Sequence, residues 1–170
     1  MSASLCTDLD KPVEVRECSN PMTDPPPPLP RIAFVFGIAG LAPQVLALLA
    51  TFSETNRYVG LAAGYFYAAL IFSFLGGLWW GIAASRSDAP PWLYAAAIAP
   101  SLIAFATGIP WMNGGIWPGP SMIVLGTGIL ASALVDYALY RHGLIATDLM
   151  RLRVALSVGL GCMTIVLGLR

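Results

Sequence analysis

Past its first thirty residues the chain turns apolar and stays so to its end, in five blocks separated by short polar or turn-forming stretches. The longest block settles the kind of element: positions 58 to 85 are 28 consecutive residues without a charged side chain. At about 1.5 Å rise per residue, a helix of that length crosses a hydrocarbon layer of about 30 Å with room to spare. Before it lies a block at 32–52, flanked by Arg31 on one side and by Glu54 and Arg57 on the other. Pro43 in its middle predicts a bend, which a membrane helix tolerates when neighbours satisfy the freed carbonyl.

After it, nothing is charged from Ala89 to Val135, but Pro110 to Pro120 holds three prolines, three glycines and Asn113. These turn residues divide the stretch into blocks at 92–109 and 121–140, with Trp111 and Trp117 in the connecting loop, where indoles favour a membrane interface. A last block runs from 152 to 169, short enough that Arg153 is expected to snorkel toward headgroups. The pattern therefore predicts an all-α integral membrane bundle of five transmembrane helices at about 32–52, 58–84, 92–109, 121–140 and 152–169. It forms one domain, residues 31–170, behind a leader at 1–30.

Composition sharpens this reading. Charged residues make up 11% of the chain and hydrophobic ones 57%, where soluble domains carry about a quarter charged. Eight of the eighteen charges lie in the first 31 residues; the rest are too few to coat a soluble globule, so the lipid bilayer is the expected partner. Nine basic against nine acidic residues, with no Lys/Arg cluster, argue against nucleic acid. Cys6, Cys18 and Cys162 lack zinc or iron–sulfur spacing and read as unpaired thiols.

The leader is polar and then proline-rich, and Pro25 to Pro28 with Pro30 favour a disordered, polyproline-type spacer. It has no apolar run of signal length, and Asp8, Asp10, Glu14 and Glu17 do not suit a mitochondrial presequence. The first span is thus expected to serve as its own insertion signal. Five spans place Lys11, Arg16, Arg31, Arg86, Arg141, Arg151 and Arg153 on one side and Arg57 and Arg170 on the other. That asymmetry predicts a cytoplasmic N-terminus and an outside C-terminus. The expected location is the bacterial cytoplasmic (inner) membrane, with the mitochondrial inner membrane as the alternative.

Small residues in the second block fall into two four-residue series, Gly60, Gly64 and Ala68, then Ser73, Gly77, Gly81 and Ser85. They lie on different faces of a helix, which predicts a central helix pressed against two neighbours through small side chains. Gly76, Gly77 and Gly81 look superficially like a nucleotide fingerprint, but no strand precedes them; together with Gly60 and Gly64 they are expected to pack helices.

The candidate chemistry is thin. Asp136 is the carboxylate inside a predicted span, about a turn from the end of the fourth helix. The fifth helix starts on that side with Arg151 and Arg153, and the second ends there with Trp79, Trp80 and Arg86. A cluster of Asp136, Arg153, Arg151 and Trp80 is expected, with an Asp136 to Arg153 ion pair at its centre and an indole donor beside it. It serves either as a structural pair or as a site that binds a ligand or moves a proton; hydration of Asp136 at the interface is the third possibility. His142 is expected to be solvated, and one histidine cannot ligate a haem or metal by paired imidazoles. No phosphate loop, paired carboxylates or Ser/His/Asp set can be assembled, so no catalytic residue, metal or cofactor is predicted and the chain is not expected to be an enzyme.

The segment SFLGGLWWGIA, Ser73 to Ala83, resembles the SFLGG-x-x-WG block of the transmembrane protein 69-like family, which carries the domain of unknown function 3429. GLAP at Gly40 to Pro43 and APSL at Ala99 to Leu102 are similar to that family's first- and third-helix elements, and Asp136 and the pair Leu152 and Arg153 match its Asp and Leu-Arg positions. Trp79 departs from it, standing where many members carry His or Arg. The resemblance covers Pro30 to Arg170 and implies a small multi-span protein of bacterial or mitochondrial membranes, with no particular reaction attached.

The leading expectation is a non-enzymatic helix-packing, scaffold or assembly partner, acting as a homo-oligomer or with other membrane proteins. The alternative is a small oligomeric carrier or channel, or a small-molecule receptor, using Asp136 near the cytoplasmic leaflet. A water-accessible cavity reaching Asp136 favours the alternative; a dry contact of Asp136 with Arg153 favours the scaffold.

Overall fold

A computed structural model describes residues 30–115 and 118–170. Among the described residues six α-helices follow one another: α1 (Arg31–Ala39), α2 (Ala42–Ala50), α3 (Arg57–Ala84), α4 (Trp92–Met112), α5 (Gly119–Arg141) and α6 (Thr147–Gly168). No strand occurs among the described residues. Taken together, α1 and α2 form one apolar segment, Arg31–Ala50, so five helical segments are long and apolar enough to cross a membrane. The proline-rich leader, with Cys6 and Cys18, and Trp117 lie outside the described residues.

The first segment is interrupted, where a continuous bent helix over 32–52 was expected. The interruption falls at Gly40 and Leu41, and Pro43 sits in the first turn of α2. There its missing N–H deprives no helical carbonyl that a turn cannot serve, whereas in mid-helix it would break a bond. The amides of Gly40 and Leu41 close tight turns onto Gly37 and Ile38, and the Tyr67 hydroxyl of α3 donates to the Gly40 carbonyl.

A second boundary also moves. The block expected at 92–109 continues to Met112, so Trp111 belongs to α4, where its ring meets Phe66 edge-on at 5.7 Å. The stop comes after it, from Gly114 at φ +69° with Gly115 N–H on the Pro110 carbonyl at 2.7 Å. This is a Schellman ending, in which a left-handed residue lets two amides close back on the last turn. The end of α5 repeats it: Gly143 has φ +68°, Leu144 N–H reaches the Leu139 carbonyl at 2.9 Å, and both leucines are buried in one cluster.

The packing is built on α3, which touches α2, α4, α5 and α6. Its buried face is one continuous stripe of Gly60, Gly64, Ala68, Phe72, Gly76, Trp79 and Ala83. A Cβ on Gly60 would stand 2.7 Å from the Ala47 carbonyl oxygen of α2, and one on Gly76 would collide with the Ala97 carbonyl of α4. Gly77 and Gly81, expected to pack a neighbour, have open space beside them within this chain. The reason is angular: the buried series runs from Ala68 through Phe72 to Gly76, and the series from Ser73 through Gly77 to Gly81 lies on the adjacent, outward face.

The outside of the bundle is apolar where that of a water-soluble protein is polar, around an interior that also holds polar groups. Leu134, Leu70, Phe105 and Leu102 stand 72, 68, 67 and 63% exposed, while Gln44, Thr164 and Asp136 are wholly buried. An exposed apolar mantle of this extent around a polar-containing interior fits a hydrocarbon surrounding.

Candidate functional site

The α5–α6 hairpin brings Asp136 and Arg153 together. Glycines let the two backbones approach: Gly126 opposes Gly161 and Gly119 opposes Gly168, with a Cβ on any of the four falling 2.9 to 3.0 Å from a backbone oxygen of its opposite number. In the same antiparallel register the Ser132 and Ser157 hydroxyls meet at 3.1 Å, and one turn nearer the connecting loop Arg153 Nη2 lies 2.7 Å from Asp136 Oδ1. Sequence reading placed packing glycines in the second span and missed these four; their shared seven-residue spacing, two helical turns, is the signal that would have found them.

From the other side α3 contributes Trp79, whose indole N–H donates to the same Asp136 Oδ1 at 2.8 Å. Trp79 is 2% exposed, Asp136 0% and Arg153 5%, so cation, anion and donor are all out of solvent. Arg153 therefore turns inward to its partner and does not snorkel, since an oppositely charged carboxylate at contact distance is a better neighbour than a distant headgroup. The satisfaction is partial: Arg153 Nη2 has only the ion-pair contact, and among the described residues Asp136 Oδ2 and the Arg153 Nε and Nη1 have no hydrogen-bond partner.

Of the four residues expected to cluster, Asp136 and Arg153 meet and the other two stand apart. Trp80 is 46% exposed and packs edge-on against Tyr94 at 5.2 Å. The donor is its neighbour Trp79, which continues the buried stripe of α3 three residues after Gly76. Arg151 is exposed, on the opposite side of α6 from Arg153, as residues two apart on a helix must nearly be. His142 is exposed beside Trp92, with ring centroids 6.4 Å apart.

Two further buried polar contacts lie away from this cluster. Gln44 of α2 donates through Nε2 to Thr164 Oγ1 of α6 at 3.1 Å, leaving its Oε1 without a partner. Tyr65 of α3 bonds the Ala104 carbonyl and the Thr107 hydroxyl of α4 at 3.2 and 3.0 Å. Neither was foreseen, because a lone Gln or Tyr in an apolar block names no partner. At the far end of the bundle the Arg57 guanidinium donates to the Arg170 carbonyl, and that of Arg170 lies 4.1 Å over the Phe52 ring.

A cavity of about 250 Å³ adjoins the ion pair, walled by α1, α3 and α6. Phe36, Leu41, Phe74 and Leu156 make it apolar, and Arg153 is its charged wall; Asp136 does not border it. Among the described residues no three His, Cys, Asp or Glu side chains gather as metal ligands. The arrangement can hold helices in register and offer unused guanidinium donors to an acceptor oxygen.

A family model described as protein of unknown function (DUF3429) matches residues 29–169. No curated protein and no solved structure matches the chain.

Proposed function

The chain belongs to the DUF3429 family, and from that footing we propose that it is a multi-pass membrane protein acting as a non-enzymatic scaffold, a rigid helical body that packs against other membrane proteins or against its own copies. The observation that carries this reading is the dry contact at its centre: wholly buried Asp136 holds Arg153 at 2.7 Å and Trp79 at 2.8 Å. Separating such a pair in an apolar interior exposes two uncompensated charges, which is expensive enough to fix α3, α5 and α6 against one another. A carrier or channel would need water or substrate at the carboxylate, and the adjoining cavity stops at Arg153.

A body locked inside acts through its outside. The outward stripe of Gly77, Gly81 and Ser85 on α3 supports docking of a further helix, because small residues let backbones approach closely where no burial from water is available. The seven-to-two asymmetry of Lys and Arg supports a bacterial cytoplasmic membrane with the N-terminus inside.

Affinity isolation from native membranes tests the proposal. A reproducible membrane partner, lost from the Gly77→Leu, Gly81→Leu double variant while the protein remains in the membrane, is the expected result. Solute uptake into proteoliposomes that disappears in Asp136→Asn would replace the scaffold with a carrier.

A further inference from the structure

The ion pair leaves Arg153 half used. Its Nη2 lies on Asp136, while Nε and Nη1 are buried and reach no acceptor. Folded proteins rarely leave buried donors without an acceptor, so a site that buries them is suited to receive one. The residue that holds these donors is also the charged wall of the 250 Å³ cavity.

The chemistry of an occupant follows from the walls. Asp136 already neutralises Arg153, so a second anion would bring surplus negative charge into an apolar site, whereas an uncharged acceptor oxygen would satisfy the donors at no such penalty. The remaining walls, including Leu41, Ile71 and Leu156, call for a hydrocarbon body. Two of its walls, Phe36 and Phe74, are 70 and 67% exposed, so the cavity reaches the apolar outside of the bundle there. One wall is lightly held: α1 buries no residue and rests on α6, with Gly37 facing Leu152 and Leu156. Arg153 lies six residues into α6, about 9 Å along the axis from its start.

We propose that this cavity is a phospholipid site, in which one acyl chain lies between α1 and α3 and its ester carbonyl accepts from one of the Arg153 N–H groups that Asp136 leaves free. An acyl ester supplies an uncharged oxygen directly at the head of a hydrocarbon chain, and it is present wherever the mouth opens. The site rests on the reading of this chain as a membrane protein.

Photolabelling tests it. The full chain is reconstituted in phosphatidylcholine vesicles, washed with alkaline carbonate, and illuminated with a phosphatidylcholine bearing a diazirine near the ester of one acyl chain. Loss of the protein in the wash would defeat the membrane reading before any light is used. With the protein retained, label is expected to concentrate at 36–41, 71–75 and 153–160, at least about five-fold above outward faces such as those of Leu102 and Leu134, a preference worth about 1 kcal/mol. Ile71→Trp, filling the cavity from α3, should abolish that preference, as should Arg153→Lys, which keeps a cation for Asp136 but lacks the guanidinium's diverging donors. Where Ile71→Trp does not fold, Phe74→Trp at the mouth gives the same reading. Even labelling of all outward faces, or a preference that survives both the filling variant and Arg153→Lys, overturns the site. So does displacement of the label by a short-tailed benzoquinone, which would assign the carbonyl to a free ligand.

Discussion

Gly126 on α5 and Gly161 on α6 lie backbone against backbone, so that a Cβ on the first would stand 2.9 Å from the carbonyl oxygen of the second and one on the second 3.0 Å from that of the first. Gly161 is also crowded by Leu130 and Gly126 by Ile165, so a side chain added at either glycine would meet both backbone and side chain. The Ser132 to Ser157 and Asp136 to Arg153 contacts lie farther along the same seam.

Gly161→Leu is therefore expected to push the two helices apart and weaken contacts well beyond its own position. Overpacking of this kind costs about 1–3 kcal/mol. Thermal denaturation in mild detergent should show a lowered midpoint, and cysteines placed at 132 and 157 should cross-link less readily. Gly81→Leu, on the open face of α3, should leave the midpoint where it was. Equal losses from the two substitutions would contradict the assigned seam.

Asp136→Asn leaves the Arg153 cation buried with no counter-charge, and removing one member of a buried pair typically costs about 3–5 kcal/mol. The double variant Asp136→Leu, Arg153→Met removes both charges and is expected to regain most of that stability, since an apolar replacement of a buried pair is often neutral or better. Unfolding midpoints of the wild type and the two variants give the answer. Should the double variant be less stable than the single, the pair contributes more than the burial of its charges removes.

The two adjacent indoles are expected to behave differently. Trp79→Phe deletes a donor to an ionised acceptor in a dry site, worth about 1.5–3 kcal/mol. Trp80→Phe alters an edge-on contact with Tyr94 on a half-exposed face, where aromatic pairs contribute about 0.5–1.5 kcal/mol and Phe retains most of it. Melting midpoints should fall for the first and hardly move for the second; the reverse order would place the donor at the wrong indole.

Charge-free runs fix the five apolar segments because their length and composition are set by the surrounding medium, and Asp136 and Arg153 are conspicuous because a charge in such a run needs a partner. Trp79 was not legible in the same way. Two consecutive tryptophans have identical composition, and their difference is one of 100° around the helix, resolved only when Gly76 and Ala83 are known to face inward. The break at Gly40 was half legible: Pro43 disturbs the turn before it but does not say whether the helix bends or parts there, and it parts, with the Tyr67 hydroxyl donating to the Gly40 carbonyl.

Gln44 tests how this interior treats a polar group that is only half satisfied. Its Nε2 donates to Thr164 Oγ1 at 3.1 Å, but its Oε1 is buried without a partner. Thr164 does not depend on it, because that hydroxyl donates to the Leu160 carbonyl at 2.7 Å within its own helix. Gln44→Leu thus removes one interhelical hydrogen bond, worth about 0.6 kcal/mol on average between membrane helices. It also removes a buried, unpaired amide oxygen, whose desolvation costs about 1–3 kcal/mol on the protein mutational scale. The second effect outweighs the first, so Gln44→Leu is expected to raise the unfolding midpoint. Gln44→Glu, which places a charge at the same point, should lower it sharply at neutral pH. A fall in both variants would mean that the amide oxygen has a partner in the membrane, and labelled-water exchange at that position would then identify it as an ordered water.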